Sequence, residues 1–121
     1  MKLENKLQAR KNRMTEALQI LGLARRAGAV APGTAATRRS ISRGEARVVL
    51  MAEDASSVQL DKIRRTMRNR VIPQVLLGNR ATLGAAIGKA PITAVAVTDA
   101  SLAGRLLESI DGEIMVDEGR D

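Results

Sequence analysis

The stretch from Arg25 to Arg43 gathers residues suited to holding anions: Arg25 and Arg26, then Gly33 and Thr34, then Arg38, Arg39 and Arg43. Gly33 stands before a segment of helical character. The first backbone N–H groups of a helix lack intrahelical acceptors, so such a start suits a phosphate. Arg38 and Arg39 fall one turn further on, where a guanidinium reaches phosphates or guanine edges. The competing reading of this run is a charged helix face kept in solvent. A second group is Gly88-Lys89-Ala90-Pro91-Ile92-Thr93, a helix end followed by a cation and an apolar side chain. Apolar loop residues can pack against an unstacked base; alone, the simpler reading seats Ile92 in the core. A third group sets Glu53 and Asp54 at one strand end and Asp99 at another. Neighbouring carboxylates bind divalent ions or move protons, but helix capping accounts for Asp54 and Asp99 more simply.

Composition narrows the chemistry. The 121 residues include no His and no Cys, which removes the commonest general base, the commonest metal ligand, thiolate nucleophiles and disulfides. No nucleophile–base pair, Walker-type phosphate loop or Gly-x-Gly-x-x-Gly is present. Neither catalysis nor a cofactor or metal is expected. There is no Phe, Tyr or Trp, so an aromatic stacking platform is excluded and the core must be aliphatic. The formal net charge is +7, the footprint of a polyanion binder. Residues 1–44 hold ten Lys or Arg against Glu4 and Glu16, while the stretch from Glu108 to Asp121 is acidic apart from Arg120. Recognition through shape, backbone charge and Arg planes fits a folded RNA better than a bare strand. No apolar run reaches membrane-spanning length and no hydrophobic signal core stands at the N-terminus, so a cytoplasmic location is expected.

The elements that must position these groups follow from apolar periodicity. Met14, Ala17, Leu18, Leu21 and Ala24 mark one helix face, with Gly28 as the stop. Gly22 inside that helix costs about 1 kcal/mol against Ala, which close packing of another element would offset. Residues 1–12 permit a helix and equally a loose basic extension. Ala29–Pro32 is extended, and Thr34 is placed as the cap of a helix reaching Arg43. Ala46–Ala52, Pro73–Leu77 and Ile92–Thr98 read as buried strands. Helices are expected at Val58–Arg70, with Val58, Ile63 and Met67 facing inward, at Ala81–Ile87, and from Asp99 or Ser101 to Ile110. The expected fold is α/β, a three-layer α-β-α sandwich with a small mixed sheet of about four strands. The expected organisation is a basic N-terminal extension (1–13), one binding domain (14–110) and an acidic C-terminal tail (111–121).

Four segments, "LGLARRAGAVAPGT" (Leu21 to Thr34), "VVLMAEDAS" (Val48 to Ser56), "IPQVLLGNRATLGAAIGK" (Ile72 to Lys89) and "AVAVTD" (Ala94 to Asp99), resemble the L-seven-Ae ribosomal-protein family in order and spacing. Within it they look most like the bacterial YlxQ-like branch. The resemblance covers about residues 14–110. It implies an α-β-α sandwich that binds structured RNA, typically kink-turns or ribosomal RNA, as a ribosome-associated protein. It also implies an RNA face at Gly33, Thr34, Arg38 and Arg39, then Glu53 and Asp54, then Pro91, Ile92 and Thr93. Kink-turn readers of the family carry Gly-x-Asn-Glu-x-x-Lys at the helix start. Here Gly33 is kept, Arg39 stands for the Lys, and the polar pair is replaced by Ala35 and Ala36. Two methyl groups cannot hydrogen-bond base edges, so backbone affinity is expected to outlast base discrimination. The alternative reading is a protein-interaction module on the ribosome with a degenerate RNA face.

Overall fold

β-Branched and other aliphatic runs too short for helices form the centre of the molecule. The computed structural model describes residues 2–110; the expected acidic tail lies outside the described residues. In chain order the elements are α1 (Lys2–Arg26), β1 (Val30–Pro32), α2 (Thr34–Ser42), β2 (Val48–Met51), α3 (Ser57–Thr66), β3 (Gln74–Leu76), α4 (Arg80–Ala86), β4 (Ala94–Val97) and α5 (Ala100–Ser109). The four strands form one sheet in the order β1-β4-β2-β3. β4 runs antiparallel to both β1 and β2, whereas β2 and β3 are parallel. The fold is the expected α/β sandwich with a mixed sheet.

Side chains of a strand alternate between the two faces of its sheet, and each face here has its own helices. Val48, Leu50, Val95 and Val97 meet Leu21 of α1, Leu83 of α4 and Leu106 of α5. Val49, Met51, Ala94 and Ala96 meet Ile41 of α2 and Leu60 and Ile63 of α3. The cross-strand register Val48↔Val97, Val49↔Ala96 and Leu50↔Val95 keeps each set on its face. Without aromatics, volume is matched by close approach. A Cβ on Gly22 would stand 3.2 Å from the Ala86 carbonyl oxygen, so this glycine lets α1 settle on α4.

Some elements differ from expectation, for local reasons. The described part of the N-terminal region is helical and continuous with α1, which spans 25 residues. Gly33, not Thr34, is the N-cap of α2, and Thr34 is its first helical residue. Val58 is 61% exposed, whereas Leu60, Ile63 and Met67 are buried; their three-then-four spacing sets the phase of α3 and turns Val58 outward. No helix of the described residues is long and apolar enough to cross a membrane.

Candidate nucleic-acid interface

Strand direction sorts the connecting loops. Because β1, β2 and β3 run one way and β4 the other, the ends of the first three share an edge with the start of β4. That edge carries Gly33-Thr34, Glu53-Asp54, Gly78-Asn79 and Pro91-Ile92-Thr93. Four backbone hydrogen bonds stitch these loops together. Gly33 N donates to Ala94 O, Ala52 N to Thr93 O and Glu53 N to Gly78 O, each at 2.8 Å, and Ile92 N donates to Arg80 O at 3.1 Å. Segments 12 to 61 residues apart in the chain are thereby one surface.

At Gly33 the chain turns from β1 into α2 with φ 92° and ψ 165°, a conformation that other residues adopt only at a cost of about 1–3 kcal/mol. No side chain caps the helix. The N–H groups of Thr34, Ala35 and Ala36 therefore lack an intrahelical acceptor, and the partial positive charge of the helix start is uncovered. Thr37 is buried instead, its hydroxyl donating to Ala31 O at 3.2 Å, which holds the first turn of α2 to β1. Arg38 and Arg39 are both exposed. The Arg38 Nε donates to Thr66 Oγ1 at 2.8 Å, so that guanidinium leans on the end of α3. Neither arginine meets a carboxylate among the described residues.

Asp54 does not cap the helix that follows it. Ser56 caps α3, and Asp54 reaches across to α4, accepting from Arg80 N at 2.8 Å with its other oxygen 3.7 Å from Arg80 Nε. Asn79 and Thr82 complete a capping box on the same helix. Arg80 thus joins two loops of the edge, through its N–H to Asp54 and its carbonyl to Ile92. Sequence reasoning missed it. The signal was its place after the Gly78-Asn79 turn of a strand parallel to β2. Ile92 is half-buried against the core, while Pro91 and Lys89 are exposed. Gly84 brings this loop close: a Cβ there would fall on the Ala90 carbonyl.

The remaining site candidates lie elsewhere. Arg26 ends α1 and Arg43 is the C-cap of α2, both at the opposite edge, where Arg47, Arg68 and Arg70 line a basic cleft. Arg25 lies against Gly88, at the start of the 88–93 loop. Asp99 also belongs to the opposite edge, capping α5 through Leu102 N at 2.9 Å, so it does not join Glu53 and Asp54. Among the described residues, no group of three or more His, Cys, Asp or Glu could hold a metal ion.

Comparison with known proteins gives a consistent picture. Residues 15–106 match the model of the family described as ribosomal protein L7Ae/L30e/S12e/Gadd45. The RNA-binding protein YlxQ of Bacillus subtilis (strain 168) is 37% identical over 92 residues, which span 76% of this chain and 92% of that protein. The large ribosomal subunit protein eL8 of Thermoplasma volcanium is 29% identical over 96 residues, 78% of this chain and 79% of that protein. Among solved structures, a protein of unknown function from Bacillus halodurans C matches with a TM-score of 0.74 at 32% identity, covering 78% of this chain and 96% of that one. The Giardia lamblia 15.5kD RNA binding protein matches with a TM-score of 0.69 at 19% identity over 85% and 88% of the two chains, a likeness of fold.

Proposed function

The chain belongs to the ribosomal protein L7Ae/L30e/S12e/Gadd45 family, and from that premise we propose that it binds structured RNA, ribosomal or kink-turn-like, as a translation-associated protein of the cytoplasm. Its RNA face is the edge holding Gly33, Thr34, Arg38 and Arg39, with Glu53, Asp54, Lys89, Pro91, Ile92 and Thr93 around them. The observation that carries this reading is the uncapped start of α2 with two exposed arginines one turn along it. A backbone phosphate accepts from the free N–H groups, and Arg39 and Arg38 neutralise its neighbours. Pro91 and Ile92 offer an apolar surface to an unstacked base. Glu53 offers an acceptor to base amino groups, while Asp54 spends its oxygens on Arg80. The protein acts by binding, not by catalysis, and needs no cofactor.

Phosphate contacts make such binding steeply salt-dependent. In the Arg38→Ala/Arg39→Ala double variant, most affinity for a structured RNA should vanish, and the slope of log K against log salt should flatten by about 0.7–0.9 per lost contact. Filter binding across a salt series measures both. An unchanged slope would exclude this face. Ala35 and Ala36 favour a second reading, a protein-interaction module on the ribosome. That reading requires a protein partner whose recovery survives RNase treatment.

A further inference from the structure

We propose that the N-terminal arm of α1 is a second RNA-binding element, which lies along the backbone of the helical stem next to the RNA site assigned above. The inference rests on that reading of the sheet edge and extends its footprint. α1 runs antiparallel to β1, so its C-terminal half covers the sheet and its N-terminal half projects past the edge that carries the candidate site. A cleft lined by Leu7, Arg10, Lys11, Arg13 and Met14 of α1, together with Glu53, Leu77 and Gly78, places the arm there directly. Residues 2–13 extend about 18 Å at 1.5 Å per residue.

The face of the arm is as informative as its position. At 3.6 residues per turn, Lys2, Lys6, Arg10 and Arg13 fall within about 80° of the helix circumference. Ala17, Ile20 and Ala24, which are buried in the core, lie on the same side. The stripe that packs against the fold in the lower half of α1 therefore becomes cationic above the edge, and its Arg10 and Arg13 line the cleft beside the loops. Glu4, the only acid between residues 2 and 13, lies outside this stripe. Arg10 has a partner within the protein, so the free cations of the stripe are the exposed Lys2 and Lys6. The Arg13 Nε is buried without a hydrogen-bond partner, in a half-buried side chain beside the cleft. A regular row of cations continuous with a phosphate-binding edge fits the regular row of phosphates on a duplex stem.

The test uses the full chain with Lys2→Gln and Lys6→Gln, which remove charge at nearly equal helix propensity. Two probes are compared, a kink-turn hairpin with long stems and the same hairpin with its stems trimmed. The expected result is a log K–log salt slope flattened by about 1.4–1.8 on the long probe, affinity lower on the order of tenfold or more, and little change on the trimmed probe. Equal losses on both probes, or no loss on either, overturn the proposal. If loss is absent and Leu3→Gln/Leu7→Gln instead abolishes a concentration-dependent mass, the arm serves a second copy of the chain. If the unaltered protein binds neither probe, it is the functional reading that fails. If it binds both, and only the Arg38/Arg39 variant weakens, the edge stands and the arm is excluded.

Discussion

Ala35 and Ala36 occupy the two positions after the Gly33 turn where family members that read kink-turns carry a polar pair. Both present methyl groups beside free backbone N–H groups, so this helix start can hold a phosphate but not a base edge. Restoring the pair with Ala35→Asn and Ala36→Glu should raise preference for a hairpin with tandem sheared G·A pairs over its Watson–Crick-paired counterpart. Each restored contact is worth about 1–3 kcal/mol, measurable by competition binding. No gain would show that α2 does not approach the bases. Gly33, the two alanines and the arginines were readable from sequence because each acts where it stands in the chain. The partners of Arg38 and Asp54 were not. Thr66 lies 28 residues from Arg38, and Arg80 lies 26 from Asp54, and only the packing of α2 on α3 and of β2 beside β3 brings them together.

Two short connections, the turn after β2 and the loop after α4, hold the edge in shape. Gly84 lies in α4 with the following loop folded tightly over it, and Lys89 N donates back to Gly84 O at 2.8 Å. A methyl group at this glycine must displace backbone, so Gly84→Ala should destabilise the fold by about 1–3 kcal/mol, seen in urea unfolding, and should weaken RNA binding by moving Pro91 and Ile92. Asp54→Ala removes the acceptor for Arg80 N and should lower stability by about 0.5–2 kcal/mol, as loss of a helix cap does. Undiminished stability would mean that water replaces the carboxylate. Strands β2 and β4 were legible as aliphatic runs, since a run of that length buried on both faces has few alternatives, whereas β3, expected to be buried, lies at the sheet edge with Gln74 and Leu76 exposed. The arm of α1 was not. Its polar residues carry no apolar period to separate helix from loose chain, and its helicity follows from continuing a helix already nucleated by the packed residues 14–26.

The molecule as a whole carries cations at both edges of its sheet, so net charge alone cannot say which edge meets RNA. One edge combines Arg38 and Arg39 with an uncapped helix start and a half-buried apolar loop; the other has Arg47, Arg68 and Arg70 around a cleft without such a helix start. Electrostatic steering would draw RNA to either, but only the first offers backbone donors to a phosphate. The deciding measurement is the backbone amide spectrum of the isotopically labelled protein during titration with a structured RNA hairpin. The largest shifts should fall on Thr34, Ala35 and Ala36, followed by Glu53, Asp54, Lys89, Ile92 and Thr93. Shifts confined to residues 43–47 and 68–72, with the start of α2 unmoved, would contradict an RNA face at the first edge.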